Sequence, residues 1–178
     1  MENMETGKSD FQVMLDTLEF PDELDARVAE LLSKKNLTIS VAESLTGGLI
    51  SSRLTSQPGS SQFYIGGIVC YSPRIKVQQV GVPPRLISQK GIVSDAVAMA
   101  LAQGVRMRMG THVGVGVTGF AGPAVSETER VGLVYVAIAT EETTKSRQFL
   151  FEGNRDEIRQ QASDAAMGLL YFMLKGEQ

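Results

Sequence analysis

The chain has 178 residues, 43% of them hydrophobic and 21% charged, with a formal net charge of -3. That length and balance fit one folded domain burying about 70% of its unfolded surface, and they exclude a disordered chain. A single cysteine and a single histidine exclude an internal disulfide and a cysteine-rich or multi-histidine metal centre, and the acidic excess argues against a broad nucleic-acid surface.

No long apolar run predicts a membrane span, and the polar opening MENMETGKSD lacks the apolar centre of a secretory signal. The expectation is a cytoplasmic protein with neither membrane nor nucleic-acid partners. Residues 1–20 are expected to form a flexible extension, in which FQVMLDTLEF adds an amphipathic turn or two, and residues 21–178 a single domain. PDELDARVAELLSKKN predicts a helix. Pro21 suits its first turn, Asp22 and Glu23 its positive dipole end, and Leu24, Val28, Leu31 and Leu32 form one apolar stripe.

LTISVA (37–42) predicts a buried strand, Glu43 to Gly48 a turn, and LISSRLTS a helix stopped at Pro58 and Gly59. FYIGGIVCYS (63–72) predicts a second strand whose paired glycines mark a bend or a close backbone approach. SPRIKVQQVGVPPRLISQKG holds at most short helical pieces. Ser94 reads as the N-cap of DAVAMALAQGVRMRM, and Gly110 as its end. HVGVGV (112–117) predicts a third strand, followed by the loop TGFAGPAVSETER. VGLVYVAIAT (131–140) and KSRQFLFE (145–152) lie four residues apart and predict a hairpin. A last helix spans about Asp156 to Lys175, with Ile158, Ala162, Ala165, Ala166, Leu169, Leu170 and Met173 on one side. The sum is α/β: a three-layer α/β/α sandwich with a mixed, mainly parallel sheet and a C-terminal hairpin plus helix.

Two glycine motifs invite a ligand reading. Gly114-Val115-Gly116-Val117-Thr118-Gly119 spells a dinucleotide fingerprint, but its first two glycines lie inside the strand and no helix opens at the third. Its glycines are instead expected to let a helix pack closely on the sheet. Glu43-Ser44-Leu45-Thr46-Gly47-Gly48 sits where a buried strand hands over to a helix, and it is no Walker loop, since no lysine follows the glycines. There the Ser44 hydroxyl could attack a carbonyl while the following N–H groups hold an oxyanion. Ser44 or Thr46 could equally be a plain helix cap.

A serine nucleophile needs a base. If the third strand is parallel to the first, His112 lies at its far end, six residues at about 3.3 Å each, or roughly 20 Å, from Ser44. His112 is then an edge residue with a local hydrogen bond. Tyr71 and Lys76 follow the second strand and can reach the same edge as Ser44. Lysine can activate a serine only when it is neutral, which requires a pKa well below its usual value of about 10.4; burial could supply that. Lys76 could equally be an ordinary exposed lysine. Cys70, inside an apolar strand, reads as core, and the methionines at 99, 107 and 109 as packing.

The blocks ISVAESLTGGLISSRLTSQPGSSQFYIGGIVCYS, IKVQQVGV, GIVSDAVAMA, GVGVTGFAGP, VGLVYVAIA and FEGNRDEIR together resemble the CinA C-terminal domain family, from about residue 24 to 174. That family includes stand-alone nicotinamide-nucleotide amidases, which are similar to serine–lysine hydrolases and need no cofactor or metal. The resemblance implies hydrolysis of the carboxamide of nicotinamide mononucleotide to nicotinate mononucleotide and ammonia, in pyridine nucleotide salvage. It implies Ser44, Tyr71 and Lys76 as the catalytic set. Leu45, Thr46, Gly47, Gly48, Thr118, Gly119, Ala121, Gly122, Arg155 and Arg159 are implied as the substrate-binding set. A pyridine nucleotide is the implied partner and a homodimer the implied assembly. Three positions depart from the family pattern: Leu45 replaces the usual cysteine, Pro73 the usual asparagine, and residues 124–130 an aspartate- and glycine-bearing loop. Two alternatives stay open: a catalytically silent paralogue that binds a nucleotide or partner protein, and an amidase for another small carboxamide.

Overall fold

The computed structural model describes residues 23–124 and 126–176. The expected N-terminal extension, its FQVMLDTLEF segment and the Pro21–Asp22 helix start lie outside those residues. In chain order the elements are α1 (Leu24–Lys34), β1 (Ile39–Glu43), α2 (Leu49–Thr55), β2 (Tyr64–Val69) and α3 (Pro73–Ile75), which runs into a π-helical turn, Lys76–Val80. They continue with α4 (Pro84–Lys90), α5 (Asp95–Met109), β3 (Val113–Gly119), β4 (Leu133–Ala139), β5 (Thr144–Leu150) and α6 (Arg155–Lys175). The strands form one sheet in the order β2-β1-β3-β4-β5. β1 is parallel to both of its neighbours, and the β4–β5 hairpin is antiparallel within itself and to β3. Only β4 is therefore reversed, which gives the expected mixed sheet, with two parallel and two antiparallel pairings because β4 lies between two strands of the opposite direction.

Alternation along the strands divides the core between the two faces. On one face Ile39, Val41, Val115, Val117 and Val136 pack with Val28 and Leu32 of α1 and with Ile158, Met167 and Leu170 of α6. The branched strand residues keep those helices at a normal distance. The other face is stripped of bulk, with Ala137 and Ala139 packed against Ala98 and Ala102 of α5. A side chain at Gly114 would strike the Ala102 carbonyl oxygen, and one at Gly116 the Ala98 carbonyl oxygen. The G-x-G-x-x-G spelling is thus a packing device for α5, as its position inside the strand predicts.

The paired glycines of β2 serve both expected purposes. The β1–β2 register skips Ile65, since Ile39 pairs with Tyr64 and Ser40 with Gly66. A Cβ on Gly67 would lie 2.6 Å from the Ser51 hydroxyl. Ser94 caps α5 by accepting the Val97 N–H at 3.3 Å, and Gly110 closes that helix at φ 63°. α6 begins one residue earlier than expected. Asn154 accepts the N–H groups of Asp156 and Glu157, and Glu157 accepts the Asn154 N–H in return, closing a capping box. Met99 and Met109 pack as expected. Met107 does not: its side chain is 68% exposed, because it falls on the outer side of α5. Among the described residues no helix is long and apolar enough to cross a membrane.

Candidate active site

β1 is buried along its whole length and delivers Ser44 to the carboxyl edge of the sheet. The Ser44 N–H donates to Val117 O at 3.1 Å, so this residue is still tied to β3 as the chain leaves the strand. The chain then reverses through Gly47 and Gly48, whose φ angles of 59° and 104° lie in the left-handed region that disfavours side chains. Ser44 stays 8% exposed and keeps its hydroxyl free of any helix cap. Thr46 is fully buried and its hydroxyl also caps nothing, having no partner among the described residues.

The cap is Glu43, which sequence reasoning did not single out. Its carboxylate is 1% exposed and accepts the N–H groups of Gly48 (3.0 Å), Ile50 (3.1 Å) and Ser51 (2.9 Å), plus the Ser51 hydroxyl at 2.6 Å. A carboxylate with several donors at a helix start is charge-assisted, which is how a buried anion is tolerated here. The signal was an acidic residue at the end of an otherwise apolar strand, directly before a turn. Among the remaining N–H groups of the turn, Gly47 donates to Ser44 O at 3.1 Å. Those of Leu45 and Thr46 have no acceptor among the described residues.

Lys76 reaches Ser44 from the other side. After β2, Ser72 accepts the Ile75 N–H and Pro73 occupies the first helical position, so the chain turns tightly and the π-helical turn starts at Lys76. Pro73 thus suits its departure from the family pattern. The Lys76 side chain is fully buried, with Nζ 2.8 Å from Ser44 Oγ and 2.6 Å from Cys70 O. No carboxylate pairs with it among the described residues. Burial pushes the amine below the usual lysine range, and the adjacent Cys70 opposes this only in part. Cys70 is itself fully buried in the core, where desolvation raises its thiol pKa.

A pocket of about 300 Å³ opens in front of Ser44. Its walls include Leu45, Thr118, Gly119, Ala121, Gly122 and Arg155 of the implied substrate set, with Tyr71 at the rim. They also include Phe120 and Glu129 and, missed by sequence reasoning because they are plain apolar residues, Ile92 and Val93. Leu45 is 4% exposed and joins the main core, so an apolar contact fills the position where the family carries cysteine. The Thr118 hydroxyl donates to Ile92 O at 3.0 Å and ties the wall together.

Tyr71 is 60% exposed and makes no hydrogen bond to Ser44 or Lys76. Its hydroxyl accepts Arg155 Nη2 at 2.8 Å, while Arg155 Nη1 donates to Gly122 O at 2.6 Å. Thr46, Gly47, Gly48 and Arg159 do not line the pocket. Arg159 instead braces the turn from behind, donating to the carbonyls of Leu45 (3.0 Å) and Thr46 (3.3 Å) and pairing with Asp156. His112 lies at the opposite end of β3 from Thr118, where its Nδ1 accepts the Thr38 N–H at 3.0 Å. Among the described residues no cluster of three His, Cys, Asp or Glu could hold a metal ion.

The model of the CinA C-terminal domain matches residues 21–174. A putative competence-damage inducible protein of Moorella thermoacetica is 43% identical over 157 residues, 88% of this chain and 38% of that protein. A CinA-like protein of Acidobacterium capsulatum is 47% identical over 148 residues, 83% of this chain and 36% of that protein. The chain thus spans well under half the length of these curated relatives. Among solved structures, a Klebsiella pneumoniae protein of the competence-damaged protein (CinA) superfamily superposes with a TM-score of 0.83 at 27% identity, covering 86% of this chain and 97% of that one. The competence/damage inducible protein CihA from Agrobacterium tumefaciens gives 0.82 at 32% identity, covering 86% and 94%.

Proposed function

This chain belongs to the CinA C-terminal domain family, and we propose that it is a metal-independent serine–lysine amidohydrolase acting on nicotinamide mononucleotide. One observation carries the reading: a fully buried lysine with no carboxylate partner among the described residues, its Nζ 2.8 Å from a serine hydroxyl at a pocket floor. An amine held below its usual pKa can accept the hydroxyl proton, which makes the serine a nucleophile.

In this mechanism Lys76 takes the Ser44 proton as Oγ attacks the carboxamide carbon. The developing oxyanion is met by the N–H groups of Leu45 and Thr46, the two in the turn that remain uncommitted. Such a donor is typically worth about 3–4 kcal/mol of barrier. The lysine ammonium returns its proton to the departing nitrogen, ammonia leaves, and water cleaves the acyl-enzyme with Lys76 again as base. The substrate phosphate needs a cation and backbone donors. Arg155 meets no carboxylate among the described residues, and the N–H groups of Ala121 and Gly122 have no acceptor among them. Tyr71 then acts at the rim by orienting Arg155. A homodimer belongs to the same reading, and the mass in solution tests it.

The test is release of ammonia from nicotinamide mononucleotide by the purified protein, with Ser44→Ala and Lys76→Ala as controls. Activity in the parent and loss in both variants is expected. Full activity in Ser44→Ala would remove the covalent mechanism. Saturable nucleotide binding without ammonia would select a silent binding protein, and ammonia from other carboxamides alone would select a different amidase.

A further inference from the structure

Glu43 is a fully hydrogen-bonded buried charge that the mechanism above does not use. Its two oxygens accept four bonds from three residues, Gly48, Ile50 and Ser51, at 2.6–3.1 Å. Every one of those donors lies beyond the nucleophile, so the carboxylate closes a loop of chain around Ser44. Its own backbone carbonyl works in the opposite direction. Glu43 O accepts the Cys70 N–H at 2.8 Å, and Cys70 O accepts Lys76 Nζ at 2.6 Å. One residue therefore anchors both the turn that carries the hydroxyl and the strand end whose carbonyl holds the amine.

We propose that Glu43 is the positioning residue of the site, setting the Ser44 turn so that the Leu45 and Thr46 N–H groups stay free to serve an oxyanion. This rests on the reading of Ser44 as a nucleophile. The physical reason is competition for donors. A helix start leaves several N–H groups without partners, and a short turn would satisfy them by capping with the nearest hydroxyl, here Ser44 or Thr46. A cap by Ser44 would occupy the nucleophile. By saturating Gly48, Ile50 and Ser51 with a longer side chain from the preceding strand residue, the fold leaves both hydroxyls out of the cap. Glu43 is not among the residues lining the pocket and its carboxylate makes no hydrogen bond to Lys76 Nζ, so it has no part in proton transfer.

The test uses a reaction independent of the natural substrate. A fluorophosphonate forms a bond from Ser44 Oγ to phosphorus and expels fluoride, the hydroxyl proton passing to Lys76, while the phosphonyl oxygen needs the same oxyanion donors. Labelling of Ser44 is followed by mass spectrometry in the wild type, E43Q and Ser51→Ala, each checked for folding by circular dichroism. E43Q keeps the side-chain length but places an NH2 against N–H donors. It is expected to slow labelling by about 100-fold, with the pH midpoint of labelling unmoved. Ser51→Ala removes one of the four bonds to Glu43, together with the hydroxyl's bond to Tyr64, and is expected to slow it a few-fold, which keeps the proposal testable if E43Q does not fold. Wild-type labelling rates in folded E43Q, or in folded Ser51→Ala where E43Q fails to fold, would overturn the proposal. So would a displaced pH midpoint, which would make Glu43 a proton-transfer group. Labelling of the wild type without hydrolysis of nicotinamide mononucleotide would refute the substrate and leave Glu43 standing. No labelling at Ser44 would end both.

Discussion

The Glu43–Gly48 turn and the loop from Phe120 to Arg130 face the same pocket and are built in opposite ways. In the turn Glu43, Ser44, Leu45 and Thr46 are all buried, and Glu43 and Arg159 clamp the backbone from two sides. In the loop most residues from Pro123 onward are exposed, and the bonds of its tip are local, such as Ser126 Oγ to Thr128 Oγ1. Reacting atoms must be held within a fraction of an ångström, which only a packed, hydrogen-bonded surround can do. The part that meets the rest of a substrate can vary without loss of the fold. The departures from the family pattern obey this division. The two at the packed side, Leu45 and Pro73, are absorbed by the core and by a helix start. The others fall together at 124–130, where most of the described residues are exposed.

Substitution on the packed side should break this contrast most strongly. Lys76→Met keeps the stem and removes the base, so kcat should fall roughly 10⁴-fold while nucleotide binding, measured by calorimetry, stays within a few-fold. The same lysine sets the pH response. Its folded-state pKa is lowered, so activity should fall as pH drops through that value, when the amine gains its proton and ceases to be a base. Stability carries the matching sign. Between the folded value and the unfolded value of about 10.4 the unfolded chain binds more protons, so stability rises with pH across that window. The Tm of the parent should therefore climb relative to Lys76→Met as pH rises from neutral toward 10, and parallel curves would refute the burial of a neutral amine.

Smaller effects should follow away from the reacting pair. Gly116→Ala pushes a methyl group against the Ala98 carbonyl and should cost about 1–3 kcal/mol in urea unfolding, because backbone on both sides must give way. Arg155→Ala should raise KM for nicotinamide mononucleotide by about 10- to 100-fold and leave kcat nearly unchanged, since a charged hydrogen bond is typically worth 1.5–3 kcal/mol. Its KM for the riboside, which lacks the phosphate, should not move. At the tip of the exposed loop, Ser126→Ala should change stability by under about 0.5 kcal/mol. A loss of several kcal/mol there would mean that the loop is as firmly built as the turn.

Much of this was legible before the fold was known. Ser94, Gly110 and the two hairpin strands are local signals, and each appears where its residue type demands. The distance argument against His112 needed only a parallel β1–β3 pairing, which the register bears out. The illegible parts were long-range. Nothing in the AESLT spelling distinguishes a capping hydroxyl from a nucleophile, because the competing cap is a Glu43 side chain folding back over five to eight residues. Arg159 reads like a ligand-binding cation in sequence and is a backbone brace across the 113 and 114 residues that separate it from the turn.

The sequence by itself determined the order of elements, the sandwich and the edge of the sheet where chemistry could occur, since these follow from periodicity, chain breakers and chirality acting over short stretches. Whether residue 76 is an ordinary surface cation or a buried amine beside Ser44 was decided only by the tertiary structure. Protonation depends on how much water and countercharge surround a group, and for this amine those surroundings come from segments brought together only on folding.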